Sequence, residues 1–230
     1  MLPRGARLRL RRAVMRLALR PGLSWCICTG KAVFLDLERD RYFCLPEQLD
    51  PLFLRWVSGD TLAREDQGRL VASGITQAGE GGPARAAEFM PASRDLAVAD
   101  GRSLSIPDVF AAVAGQVRAR RALRRRPLAR IIASLASTPC AATPSRDEAR
   151  LRRIAHAFAT SALLLRAADQ CLPRAIAAQQ RCRHYGVDSA LLFGVRLHPF
   201  AAHSWVQAGD AVVVGDLELV RLYTPILVVR

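Results

Sequence analysis

An α+β protein is expected from three features of the chain. Short β-rich runs gather near its two ends, helical periodicity fills the middle, and a helix closed by Gly186 feeds a buried strand. The first strands are "LSWCICT" at 23–29, "AVFLDL" at 32–37 and "RYFCL" at 41–45, with Gly30-Lys31 and Glu38-Arg39-Asp40 as the turns. Pro46 then opens a helix to about Trp56, with Leu49, Leu52, Phe53 and Trp56 at helical spacing. Gly59 stops it, and a second helix at about 62–73 follows. Three short strands followed by helices suit a small winged-helix-like N-terminal domain at 23–75. About fifty residues give such a domain only a marginal core of its own.

The stretch 76–104 is rich in Gly, Ala and Pro, has no sustained period and reads as a linker. A second domain spans 105–230. Ser105 is placed to cap a helix carrying Val109, Phe110, Val113 and Val117, Pro127 breaks it, and "LARIIASLAS" starts another. Ser145 to Glu148 reads as a capping box, with Leu151, Ile154, Ala155, Phe158 and Leu165 as the buried face and His156 off that face, on the surface.

Composition narrows the function. Hydrophobic residues make up 51% and charged residues 23%, as in a globular protein. The net charge of +14 is local: seven Arg lie within residues 1–20 and seven within 115–130, with no acid in either run. The remainder carries twenty basic residues against twenty acidic ones. Such runs bind anions, RNA or a membrane surface nonspecifically, or serve as solvated arms and helix faces. Arg interrupts every apolar stretch near the N-terminus, so residues 1–22 read as a basic arm rather than an export signal, with Met15 as an alternative start. No run approaches a membrane span. The six Cys form no tight disulfide framework, which fits a cytoplasmic, reduced protein; Cys26 and Cys28 lack the spacing that would complete a metal site. No metal or organic cofactor is expected.

Pro173 is tolerated in a helix only within the first turn, so a helix at about 172–185 puts Cys171 at its N-terminal edge. Unpaired N–H groups and the positive end of the helix dipole favour a thiolate there; Cys182, three turns on, lacks both. A buried strand "SALLFGV", the loop "RLHPF" and the alternating "AHSWVQ" follow, so His203, Trp205 and Gln207 share a face. With Gly209-Asp210 as a two-residue hairpin loop, Ala208 pairs with Ala211 and His203 lies opposite Asp216, Cβ atoms about 4.5–5.5 Å apart. Asp216 could then fix the imidazole tautomer and His203 could take the thiol proton. A three-residue loop would put Gly215 there instead.

At these residues the chain resembles the B proteins of lasso-peptide biosynthesis, leader peptidases of transglutaminase-like, papain-related fold. The matching strings are "QCLPRAIA", "YGVDSALLFGVRLHPFAAHSWVQ", "VVVGD" and "LYTPILV", in the order Cys, His, Asp. The family's Ala-Trp-Val-Glu after the His is Ser204-Trp205-Val206-Gln207 here, and its Ser after Pro-Arg is Ala175. The resemblance implies Cys171 as nucleophile, His203 as acid and base, and Asp216 as orienter, with Asp210 close by. It also implies a precursor peptide as substrate and an ATP-dependent, asparagine-synthetase-like lasso cyclase as partner. "GKAVFLDLERDRYFCL" resembles the peptide-recognition domain of such pathways. There the third strand, Arg41, Tyr42, Phe43, Cys44 and Leu45, takes the leader as an added strand. An acyltransferase using the same triad, or a winged-helix nucleic-acid binder using the Arg run, are the rival expectations.

Overall fold

The computed structural model describes residues 16–82, 85–97, 105–137, 147–165 and 170–230. The basic arm before residue 16, and Ser145 and Arg146 of the expected capping box, lie outside them. In chain order the elements begin β1 (Leu17–Leu19), β2 (Leu23–Cys28), β3 (Lys31–Asp36), β4 (Arg41–Cys44), α1 (Asp50–Val57), α2 (Arg64–Ala72), β5 (Thr76–Ala78) and β6 (Arg94–Asp95). They continue as α3 (Ile106–Arg125), α4 (Leu128–Ser137), α5 (Glu148–Leu164), α6 (Cys171–His184), β7 (Ala190–Leu197), β8 (Phe200–Ala208), β9 (Ala211–Val214), α7 (Leu217–Val220) and β10 (Thr224–Val229). No helix among the described residues is long and apolar enough to cross a membrane.

Two compact units emerge, and their boundary differs from the expected one. The first takes residues up to Pro21 and Glu47–Arg85; the second takes Gly22–Pro46 and Ala86–Arg230. The span 23–75, expected as one domain, is therefore shared between them. In the first unit β1 pairs antiparallel with β5, and α1 turns the tilted rings of Phe53 and Trp56 inward. The expected linker thus supplies a strand here, and another, β6, in the second unit.

The second unit holds an antiparallel sheet β2-β3-β4 and a five-stranded sheet ordered β10-β7-β8-β9-β6, antiparallel except for the parallel β6–β9 pair. Residues on one face of the larger sheet, among them Leu191, Phe193, Val195, Val206 and Val213, share a core with α3, α5 and α6. Cys26, Cys28, Val33 and Leu35 of the smaller sheet join the same core. This non-local burial is why β2 to β4 group with the C-terminal part of the chain. On the other face, Ala190, Leu192, Trp205, Val212 and Val220 form a second cluster.

Local signals set the helix ends. Ser105 occupies the N-cap position of α3, and Pro127, which cannot donate an N–H, separates α3 from α4. The cap of α5 falls on Asp147, whose carboxylate accepts from the Arg150 N–H at 3.1 Å. His156 departs from expectation: it is half-buried, and its Nε2 is shut from solvent. Asp108, 6% exposed on α3, accepts from Arg153 of α5 and from Arg181 of α6 at 3.1 Å. Burial alone would push this carboxyl up, but bonds from Ser105, Arg153 and Arg181 outweigh it and hold it below its ordinary range. Its contribution is therefore present above the unfolded carboxyl value and fades as acid protonates it. Asp108→Ala is expected to lower stability by about 1–3 kcal/mol at neutral pH, less than a fully buried pair because both arginines reach solvent. The denaturant midpoint checks this: wild type and variant should converge at low pH.

Candidate active site

Pro173 lies in the first turn of α6, as expected, and Cys171 is its opening residue, behind Gln170 at the N-cap. Gln170 makes no side-chain cap bond, so the first amides of α6 receive no hydrogen bond from that side chain. Cys171 is half-buried and Cys182 is fully buried in the core. Burial pushes the Cys182 thiol up to about 12, so it carries almost no thiolate near neutrality. Cys26 is likewise pushed up to about 12, by burial first and then by Cys28 and Cys44. All five described cysteines are free thiols.

β7 and β8 form a continuous antiparallel ladder from Ala190↔Gln207 to Leu197↔Phe200, with His203 opposite Gly194. The imidazole lies near two rings: the Trp205 indole, near parallel at 6.2 Å, and the Tyr223 ring at 5.3 Å. Trp205 is held in turn, since its Nε1 donates to Gln207 Oε1 at 3.0 Å. Gln207 Nε2 donates to the carbonyls of Met90 at 2.7 Å and Gly209 at 2.8 Å. The face shared by His203, Trp205 and Gln207 is thus a braced aromatic platform.

The hairpin forms at Gly209-Asp210 with Ala208 opposite Ala211, but the expected register does not run to its end. After Gln207↔Val212 a bulge follows, and the next pair is Val206↔Val214. The extra residue, Val213, moves the partner of every later position by one. The ladder then stops, so His203 does not sit across from Asp216 in a strand pair. Asp216 instead caps α7, accepting from the Leu219 N–H at 2.8 Å. No hydrogen bond joins it to His203 among the described residues. Its charge still reaches the imidazole: burial pushes His203 below its ordinary 6.5, Arg174 pushes it further, and Asp216 opposes both. Asp210 is committed elsewhere. Arg94 donates to it at 3.0 Å and Ser93 also bonds it, holding the carboxyl down at about 2.

His203 Nε2 is buried without a hydrogen-bond partner. A lowered imidazole favours the neutral form in the folded protein. The unfolded chain therefore binds the proton more readily as pH drops below about 6.5, and stability falls there. His203→Gln is expected to flatten that part of the curve of unfolding temperature against pH; an unchanged slope would mean that another group causes it.

Two residues outside the expected triad belong to this neighbourhood. Arg174, half-buried one turn after Cys171, is held below its ordinary value by burial while Cys171 pulls it up, and its charge acts on His203. A sequence signal exists: its helical neighbours at three and four residues are Gln170, Cys171, Ala177 and Ala178, none acidic. Tyr42 of β4 is pushed up to about 12 by burial first, then by Asp40 and by Cys171. Its ring meets that of the exposed Phe200 at 5.9 Å. β4 pairs only with β3 among the described strands, while the far edge of β2 receives the Ala87 N–H on the Trp25 carbonyl at 3.0 Å. An open strand edge therefore lies in the same unit as Cys171 and His203. No group of three or more His, Cys, Asp or Glu among the described residues could hold a metal ion.

The family model described as the transglutaminase-like superfamily matches residues 113–228, which contain Cys171, His203 and Asp216. No curated protein and no solved structure matches the chain.

Proposed function

Because the chain belongs to the transglutaminase-like superfamily, we propose that it is a cysteine peptidase that removes the leader from a ribosomally made lasso precursor peptide. The observation that carries this reading is Cys171 as the opening residue of α6, in one compact unit with His203 and with the open edge of β4. His203 takes the Cys171 thiol proton, the sulfur attacks the scissile carbonyl carbon, and the carbonyl π pair moves onto oxygen. When that pair returns, the C–N bond breaks, the His203 imidazolium gives its proton to the leaving amine, and an acyl-thioester remains on the leader side. Water, deprotonated by His203, then attacks the thioester carbon and frees Cys171. Asp216 stabilises the imidazolium by its charge.

The β2–β4 sheet, which supplies the strands of the expected winged-helix peptide-recognition domain, would hold the leader. Its strand adds to Arg41, Tyr42, Phe43, Cys44 and Leu45 through backbone hydrogen bonds. The freed amine goes to an ATP-dependent lasso cyclase, and the work is cytoplasmic. The nucleic-acid alternative rests on Arg118, Arg120, Arg121, Arg124, Arg125, Arg126 and Arg130, all exposed. It predicts salt-dependent DNA binding independent of the thiol.

Mass spectrometry of a precursor peptide mixed with the protein tests the reading. Two fragments whose masses add up to the precursor plus one water support a peptidase. An N-terminal fragment carrying a supplied amine instead of water marks an acyltransferase. A peptide left whole, even with the cyclase and ATP present, overturns both.

A further inference from the structure

Most buried or half-buried charges of the second unit are balanced in plain view. Asp108 answers Arg153 and Arg181, Asp210 answers Arg94, and Asp147 answers Arg150. Arg174 and Arg196 are different: each is half-buried, makes no ion pair among the described residues, and has its Nε shut from solvent with no acceptor. Arg196 lies over the Tyr223 ring, 5.6 Å from its centroid, whereas Arg174 stands one turn from a thiol. A guanidinium N–H buried without an acceptor is unfavourable, and it is answered when a negative charge arises beside it from something else.

The helix geometry says what that is. Arg174 stands three residues after Cys171, so the two share a face of α6, and helical side chains lean back toward the N-terminus. The guanidinium therefore leans over the first turn, where it interacts with the Cys171 sulfur and acts on the His203 imidazole of β8, the strand against which α6 packs. His203 Nε2 is also buried without a partner. A donor lacking an acceptor one turn from a thiol, and an imidazole nitrogen lacking a partner within reach of that donor's charge, mark the place of a reacting group.

We infer that Arg174 is a catalytic residue whose guanidinium holds the negative charge of the reaction, first on the Cys171 sulfur and then on the carbonyl oxygen which that sulfur attacks. The second half rests on the peptidase reading; the first does not. As the S–C bond forms, charge leaves sulfur and appears on oxygen, and one fixed cation serves both positions without reorganising. Arginine suits this task because its planar fork offers several donors and does not lose its proton near neutrality. Its repulsion of the imidazolium also keeps His203 neutral until the thiol proton is transferred.

The test uses Arg174→Gln and Arg174→Lys in the full chain, with two readouts. One is the rate at which iodoacetamide alkylates Cys171 at pH 7, followed by mass spectrometry on the peptide containing it. The other is kcat and KM on the precursor peptide. For Arg174→Gln we expect alkylation slowed about tenfold. We expect kcat down by about 10²–10³-fold, with KM within about threefold. Arg174→Lys, keeping the charge, should recover at least about tenfold of the lost kcat. Arg174→Gln with alkylation and kcat both within about twofold of wild type would overturn the assignment. So would a Lys variant as slow as Gln in both readouts with an unchanged unfolding temperature. If wild type cleaves no precursor, the peptidase reading fails and the alkylation result alone decides whether Arg174 supports the thiolate.

Discussion

Cys171→Ala is expected to abolish precursor cleavage, lowering kcat by at least about ten-thousandfold, while Cys182→Ala cleaves at the wild-type rate. The two thiols share one helix, and their positions on it separate them. Cys171 sits in the first turn, half-exposed, one turn from the Arg174 guanidinium. Cys182 is sealed in the core, where burial pushes it up to about 12 and no substrate can reach it. Its removal leaves a small void, costing about 1 kcal/mol of stability and no turnover. The assay is fragment release followed over time for the two variants. Cleavage surviving in Cys171→Ala, or lost in a folded Cys182→Ala, would move the nucleophile elsewhere.

That contrast was legible in the sequence because Pro173 fixes where α6 begins, and a helix start is a local property. The hairpin loop at Gly209-Asp210 was legible for the same reason. The bulge after Gln207 was not. In "AVVVGD" each Val fits either face equally well, so the pattern carries no mark of the extra residue. The register is settled by packing: Gly215 takes φ +149° and leaves its Cβ position 3.1 Å from the Trp205 Cβ. The pairing of His203 with Asp216 was therefore derived from a ladder that ends early. Asp216 reaches the imidazole by charge alone, from the cap of α7.

The unit boundary was also hidden. Periodicity finds β2, β3 and β4, but which core Cys26, Cys28, Val33 and Leu35 enter depends on strands well over a hundred residues later. The smaller sheet is built into the second unit, so the open edge of β4 and Cys171 belong to one body. Arg174 stood in view as part of "CLPRAIA", yet only burial without a counter-ion gives it a role of its own.

Gly194→Ala is expected to cost about 1–3 kcal/mol of stability and to slow turnover at least about tenfold at temperatures where the variant is folded. The constraint is space. A Cβ on Gly194 would lie 2.7 Å and 2.8 Å from two carbons of the Trp205 ring and 2.9 Å from the Tyr223 Cβ. Contacts that short force a shift, and the indole cannot swing freely, because Nε1 is bonded to Gln207 and Gln207 to two backbone carbonyls. Displacement therefore passes to the imidazole that packs against both rings, and on the proposed mechanism a sub-ångström error in the position of His203 is costly. A denaturant midpoint with single-turnover kinetics checks both parts. Trp205→Leu, which removes the two clashing ring carbons and leaves the Tyr223 Cβ contact, should reduce the stability cost of Gly194→Ala in the double variant without abolishing it, a coupling that independent effects would not produce. It should not restore turnover, since the platform under His203 is gone. A Gly194→Ala protein with unchanged midpoint and unchanged rate would mean that His203 does not depend on these rings for its position.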